Sequence, residues 1–258
     1  MKLALYQGPA IGGDIEAGFE RLETQLVAAA TAGADMAVFP ELFLPGYNRP
    51  DLHQNLAQPM GGNWTTRLAD MARQTGCGLT LGWAERDGER VFNATTAFGT
   101  NGEILGHYRK IQLFGPMEKA SFSAGESYAF FELGGHKVAL LICYDIEFPQ
   151  HCRALADHGV TLLLVPTANP ERFEHVPRTF VPARAAEMGM TIAYANFCGS
   201  EGNLTFGGNS LIVGPDAQII ASAGRGETLL VADLAPVSDI APDIMSMQLQ
   251  DYREGKFL

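Results

Sequence analysis

The sequence predicts a single α/β domain spanning residues 1–258, on three observations. Short apolar runs rich in β-formers alternate with amphipathic stretches along its whole length. The chain has 258 residues, 47% of them hydrophobic, which is enough for a substantial core within one large domain. No shift in composition and no linker-like stretch divides it.

The chain opens on an apolar strand at 2–7. Behind Asp14, a good N-cap, Ile15, Phe19, Leu22, Leu26 and Ala29 recur at helical spacing and predict a helix over 14–32. Gly33 stops it, and a buried strand at 36–40 ends on Pro40. Trp64, Leu68 and Met71 mark a helix at 62–75. Strands at 78–84, 91–98 and 103–108 follow, the last two joined through a turn at Asn101-Gly102. Strands at 128–133 and 137–143 precede a helix marked by Phe148, Cys152 and Leu155. After a strand at 161–165, Phe173, Val176, Phe180 and Ala183 predict a helix at 173–188. Strands at 190–197, 208–213, 217–222 and 228–233 complete the series, with Gly214-Pro215-Asp216 as a hairpin turn. Gly33 to Pro40 aligns without gaps to Gly159 to Pro166, each segment reading as a glycine stop, a buried strand and a proline. If this echo is a structural repeat, Glu41 and Thr167 occupy equivalent strand ends, where ligands bind in open α/β sheets.

The net charge of −11 and pI near 4.9 argue against nucleic acid or an anionic membrane as partner, since both demand a basic patch. No apolar run approaches the roughly 18 residues of a membrane span, and the N-terminus turns polar too early for a secretory signal. A cytoplasmic protein acting on a small molecule is expected. Cys77, Cys143, Cys152 and Cys198 form no CxxC pair and the histidines no metal-ligand spacing. Neither a disulfide framework, nor a metal, nor a cofactor is expected.

Cys143 ends the apolar run 138–142, where a strand hands over to a helix whose N-terminus favours the thiolate. It is either a small core hydrophobe or a nucleophile, according to what converges on it. Glu41, set between an apolar strand and an apolar loop, is either a cap or structural ion pair or a carboxylate whose pKa burial raises into the range of a general base. Lys110 is either a surface lysine or, in a loop packed inward through Ile111, Leu113 and Phe114, an ammonium that stabilises an oxyanion. Glu118, solvent-facing if taken alone, is positioned to hold that ammonium.

Together, Phe39-Pro40-Glu41, Tyr108-Arg109-Lys110 with Leu113-Phe114, Glu118 with Phe122, and Ile142-Cys143-Tyr144-Asp145 resemble the Glu-Lys-Cys signatures of the nitrilase superfamily of carbon-nitrogen hydrolases, across nearly the whole chain. Arg184-Ala185-Ala186-Glu187 resembles a later helix motif of that family but continues with Met188 where the family has asparagine. The resemblance implies a four-layer α-β-β-α sandwich; the element pattern alone also fits a doubly wound sheet. It further implies Glu41, Lys110, Cys143 and Glu118 as catalytic residues, with Lys110 and the backbone N–H of Tyr144 meeting an oxyanion. Tyr47, Phe114, Asn169 and Phe197 are the implied pocket walls. A homodimer or higher homo-oligomer is implied too, with 240–258 as an interface segment carrying Ile244, Met245, Met247, Leu249 and Tyr252.

Cys143-Tyr144-Asp145, where true nitrilases have Cys-Trp-Glu, is similar to the amidase side of the family. With Pro166-Thr167-Ala168-Asn169 and Tyr194-Ala195-Asn196-Phe197-Cys198-Gly199 it resembles bacterial short-chain aliphatic amidases of the 5-aminopentanamidase type. An aliphatic monocarboxamide is the expected substrate, and a nitrile or a carbamoyl or ureido acid the enzymatic rivals. Glu201 and Glu171 are candidates to meet an ammonium on the substrate, the alternative being that both are exposed loop acids. Two other classes are a Cys-His hydrolase using His151 or His175, and a non-catalytic interaction protein.

Overall fold

In the computed structural model, which describes residues 1–236 and 239–255, the two segments that echo each other become central strands of two six-stranded sheets. The chain runs β1 (Lys2–Gln7), α1 (Ile15–Thr31), β2 (Met36–Val38), α2 (Pro50–Leu56), α3 (Asn63–Thr75), β3 (Gly78–Asp87), β4 (Arg90–Phe98), β5 (Ile104–Arg109) and α4 (Gly115–Ser121). It continues through β6 (Phe130–Leu133), β7 (His136–Leu140), α5 (Pro149–Asp157), β8 (Leu162–Pro166), α6 (Val181–Met188) and β9 (Thr191–Ala195). A small hairpin, β10 (Ser200–Glu201) and β11 (Leu204–Thr205), precedes β12 (Leu211–Val213), β13 (Ile219–Ser222), β14 (Thr228–Asp233) and α7 (Gln248–Asp251).

The sheet orders are β14-β1-β2-β3-β4-β5 and β6-β7-β8-β9-β12-β13. In each, three parallel strands (β1 to β3, β7 to β9) are flanked by antiparallel ones, one on one side and two on the other. The echo is therefore a repeat of topology, and β2 and β8 hold the same place in the two halves. The resulting fold is the four-layer sandwich and not a doubly wound sheet.

Side-chain alternation explains the layering. Along β1 and β2, Leu3, Leu5, Met36 and Val38 join the core shared with the second sheet, while Ala4, Tyr6 and Ala37 turn to the opposite face. That face is covered by Phe19, Leu22 and Leu26 of α1 and by Trp64 and Leu68 of α3. Each such large apolar side chain contributes roughly 1.5–3 kcal/mol relative to exposure. The second sheet is covered by α5 and α6 through Cys152, Leu155, Val181 and Ala185. Because β8 is covered on both faces, Leu162 to Val165 reads as an unbroken apolar run instead of alternating. Asp14 caps α1 by accepting the Ala17 N–H at 3.1 Å.

Several predicted elements are shorter than expected. The strands at 36–40 and 137–143 stop at Val38 and Leu140, because the chain leaves the ladder to present Glu41 and Cys143. The helix at 173–188 is broken into a 3-10 turn, a π turn over Val176–Phe180 and α6. Pro177 and Pro182 each remove a backbone donor and crowd the preceding turn. The helices α2 and α4 were not expected; each spans seven residues and opens with proline at its first turn, too short for a periodic signal.

In the expected interface segment, Met245 reaches Gly189 at the end of α6, while Ile244, Met247 and Tyr252 stay exposed. Its last residues, 256–258, lie outside the described residues. Among the described residues no helix is long and apolar enough to cross a membrane.

Candidate active site

Lys110 follows β5 directly, and its backbone is pinned on both sides: its N–H donates to Asn93 O at 2.8 Å and its carbonyl accepts the Gly125 N–H at 2.8 Å. The side chain is drawn inward between two carboxylates. Nζ donates to Glu41 Oε1 at 2.6 Å and to Glu118 Oε1 at 2.7 Å, and all three side chains are closed to solvent. An ammonium has three donors, so one is left over.

Glu41 stands just past the end of β2, held against Gly82 of β3. A Cβ at Gly82 would lie 2.5 Å from Glu41 Cα, so only glycine permits this approach. Asn93 Nδ2 donates to the same Oε1 at 2.7 Å. Oε2 is buried and has no hydrogen-bond partner. One carboxylate oxygen is thus fixed and the other is open to accept a proton. Burial pushes the Glu41 carboxyl up to about 7, and the Glu118 charge adds to this against the pull of Lys110 and Asn93. For Lys110, burial alone disfavours the ammonium, but the charges of Glu118 and Glu41 outweigh it and hold the group above the ordinary lysine range.

Glu118, far from facing solvent, sits in the first turn of α4. Its Oε2 accepts the Phe114 N–H at 2.9 Å, and its Oε1 also accepts the Tyr47 hydroxyl at 2.8 Å. Tyr47 therefore does more than wall a pocket: it helps fix the glutamate that fixes the lysine.

Cys143 has φ 46°, a left-handed conformation that non-glycine residues adopt at a cost and that turns its side chain out of the strand path. The turn is locked by Asp145, buried, which accepts the Ile142 N–H at 3.1 Å, the Gln112 N–H at 2.8 Å and the Tyr108 hydroxyl at 2.9 Å. The expected helix N-terminus proves to be a five-residue 3-10 turn, Cys143–Glu147. Its dipole does not govern the sulfur. Burial and the Glu41 charge push the thiol well above its ordinary range, although Lys110, the Thr167 hydroxyl and the Ala168 N–H, all close to the sulfur, favour the anion. The resting group is a neutral thiol that needs a base.

A small, tight cleft opens over the sulfur. Tyr47, Phe114, Tyr144 and Asn169 line it, together with Glu147 and Phe173. Phe197, expected as a wall, is not among its lining residues. Its ring is fully buried, 6.1 Å from Phe43 and 5.0 Å from Phe206, because the chain beyond β9 turns it toward the first sheet's helical face. Phe206 in turn packs at 6.3 Å on Tyr47, so Phe197 backs the wall from behind.

Neither acid proposed for a cationic substrate lines the cleft. Glu201 is not an exposed loop acid: it is buried and accepts the Asn48 N–H at 2.5 Å, securing the loop that carries Tyr47. Glu171 is exposed and lies 3.6 Å from Arg225. Both ring nitrogens of His151 are occupied, by the Tyr128 hydroxyl at 2.6 Å and Gln112 at 3.0 Å, and His175 is exposed among aromatic rings. The Cys-His arrangement is not formed. Of the participants not singled out beforehand, Asn93 left one signal, a lone amide inside the apolar run of β4. Among the described residues no cluster of His, Cys, Asp or Glu is arranged to hold a metal.

Against known proteins, residues 2–239 match the carbon-nitrogen hydrolase family. A protein of Pseudomonas protegens named "hydrolase in pqqF 5′ region" is 40% identical over 91% of this chain and 82% of its own length. An (R)-stereoselective amidase of Pseudomonas sp. is 33% identical over 91% of this chain and 85% of its own. A cysteine-to-alanine mutant of the amidase from Nesterenkonia sp. AN1, solved in complex with butyramide, superposes with a TM-score of 0.88 at 36% identity, over 98% of this chain and 94% of that one.

Removal of the central cation tests the cluster directly. Lys110→Met leaves two buried carboxylates facing each other and is expected to lower unfolding free energy by about 3–5 kcal/mol at neutral pH. The deficit should shrink as pH falls and the carboxylates take up protons, since neutral acids no longer repel. Urea titrations at neutral and acidic pH check this; a small loss independent of pH would contradict it.

Proposed function

The chain belongs to the carbon-nitrogen hydrolase family and is a hydrolase of carbon-nitrogen bonds other than peptide bonds; within that activity we propose that it is an amidase converting a small aliphatic carboxamide to the carboxylic acid and ammonia through a thioester on Cys143. The observation that carries this reading is the division of labour within one carboxylate: Glu41 Oε1 is tied to Lys110 and Asn93, and Oε2 is buried and free.

In the proposed cycle Glu41 takes the Cys143 proton as sulfur attacks the amide carbon. The third Lys110 N–H and the Tyr144 backbone N–H, a first-turn donor with no acceptor inside its own short helix, meet the tetrahedral oxyanion. Each such donor is worth roughly 3 kcal/mol of barrier. Protonated Glu41 then returns its proton to the departing nitrogen, ammonia leaves, and a thioester remains. Ionised again, Glu41 takes a proton from water as it attacks the thioester, and as the tetrahedral intermediate collapses and the C–S bond breaks it passes that proton to the departing Cys143 sulfur, releasing the acid and restoring the neutral thiol. Glu118 acts through Lys110 as a positioning residue. The small, aromatic-walled cleft supports a short acyl group, as does the butyramide bound by the Nesterenkonia amidase. The proposal carries with it a cytoplasmic setting, supported by four free thiols, and a homodimer or larger assembly through 240–258, supported by its exposed Ile244, Met247 and Tyr252.

Cys143→Ala is expected to abolish ammonia release from a panel of small amides, whereas Cys152→Ala, deep in the core, retains most of it. Intact-mass spectra after brief exposure to amide should show an acyl adduct on the parent protein only. Retained turnover without Cys143 would end the assignment, and matched amide and nitrile pairs separate an amidase from a nitrilase.

The pH profile reports the base. Because Glu41 must be ionised to act, kcat/KM should fall as pH drops below about 7. In Glu118→Gln the negative charge that raises the Glu41 pKa is gone, so this acid limb should move to lower pH while kcat falls about 10²-fold. A limb that stays in place would reduce Glu118 to a merely structural role.

A further inference from the structure

The rim of the cleft is closed by two rings that come from opposite halves of the fold. Phe114 follows β5 and Phe173 follows β8, and they meet at 90° with centroids 5.7 Å apart, in edge-to-face contact. Both are half-buried, whereas Tyr47, Ala168 and Asn169 of the same cleft are buried. The space left over Cys143 admits about one water, so a carboxamide enters only by displacing part of this rim. The two rings are not equally free to move. Phe114 donates its N–H to Glu118 Oε2 at 2.9 Å and packs on Tyr144 at 5.2 Å, so shifting it disturbs both the charged cluster and the nucleophile turn.

Phe173 ends a 3-10 turn, Glu171–Phe173, that leads into the π turn and not into a regular helix, and such turns are less well bonded than α-helix. Its base is stiff. Asn196, fully buried, accepts the Asn169 N–H at 2.8 Å and donates Nδ2 to the Asn169 carbonyl at 3.1 Å. Beyond that base the turn keeps two short local bonds, from Asn169 Nδ2 to the Phe173 carbonyl and from the Phe173 N–H to Pro170 O, each 3.0 Å. From outside it is held by charge. Arg225 pairs with Glu174 and lies 3.6 Å from Glu171. Arg225 is itself well placed, because Gln7, buried at the end of β1, donates Nε2 to the carbonyls on either side of it, Gly224 O at 2.9 Å and Gly226 O at 2.6 Å. Ion pairs at the surface are weak and screened by salt. The rim thus has one ring clamped to the catalytic cluster and one held by contacts that yield.

We propose that Phe173 is the specificity-determining residue that limits the acyl chain, and that Arg225, which holds the segment 171–174 from outside, is a positioning residue that sets how far the ring yields. This rests on the amidase reading and deepens it. A short chain needs only a brief displacement of the ring on entry. A longer one needs the ring held outward, against the Arg225 pairs, for as long as it stays bound.

The test compares hexanamide with propionamide in one protein preparation, so that the ratio of their kcat/KM values is independent of how much protein is folded. In the parent protein at low salt the ratio should lie below one. Phe173→Ala should raise it about tenfold or more, with Phe173→Leu in between. Arg225→Gln should raise it in the same direction, through the KM for hexanamide, and Arg225→Lys, which keeps the charge, should restore the parent value. Added salt should raise the parent ratio and leave that of Arg225→Gln unmoved. A parent ratio at or above one, or a ratio indifferent to Phe173→Ala, overturns the role of the ring; a ratio that answers to Phe173→Ala but to neither Arg225→Gln nor salt overturns the role of Arg225. Calorimetric binding of the same two amides to Cys143→Ala, with and without Phe173→Ala, reads the rim without turnover. Tighter hexanamide binding once the ring is gone, alongside no ammonia from any amide, would sustain the rim and refute the amidase; turnover of both amides at a ratio that Phe173→Ala leaves unchanged would do the reverse.

Discussion

One buried ammonium held between two buried carboxylates is the constraint to which the rest of this fold answers. Taking three charges out of water costs several kcal/mol for each, and their attraction offsets it only with short contacts and every remaining valence satisfied. The Lys110 contacts at 2.6 and 2.7 Å meet the first condition. The Asn93 amide, the Tyr47 hydroxyl and the Phe114 N–H meet most of the second. Each comes from a different element, so β2, β4, β5, α4 and the Tyr47 loop must be in register before the cluster can exist. Among the valences left unmet, Glu41 Oε2 and the third Lys110 N–H are the ones with chemistry to do.

The duplicated sheet order explains why this happens at a seam. The ends of β2 and β8 hold equivalent places in the two halves and meet where the Glu41 N–H donates to Thr167 O at 3.4 Å. Glu41 is supplied by the first half and Cys143 by the second. The cation arrives from a hairpin strand of the first sheet. No single supersecondary unit contains the site: the charged cluster is paired within the first half, and the sulfur joins it only where the two sheets pack face to face.

Much of this was legible in the sequence and some of it was not, for physical reasons. The twelve principal strands and the capped helix α1 were readable because both faces of the sheets are buried and Asp14 marks a start. Glu41, Lys110 and Cys143 stood out as charged or reactive groups beside apolar runs, whereas Glu118, solvent-facing if taken alone, was picked out only as a partner for Lys110 and through the family resemblance. Hidden from sequence were features set by direction and not by composition: the positive φ at Cys143, the inward turn of Phe197, the burial of Glu201. The helices α2 and α4 were lost because seven residues hold too few turns for periodicity to show. The helix start expected at Cys143 was misplaced for a related reason, since the residues there form only a five-residue 3-10 turn.

The central claim is that the buried cluster carries the ionised base while the sulfur rests as a neutral thiol. Thiolate absorbance in the ultraviolet, taken as the difference between the parent protein and Cys143→Ala across a pH titration, tests it most directly. No thiolate signal from Cys143 should be present at neutral pH, and none should develop until well above the ordinary cysteine range. A full thiolate signal already present at neutral or mildly acidic pH would mean that sulfur and lysine form a resting ion pair, and would contradict the role given to Glu41.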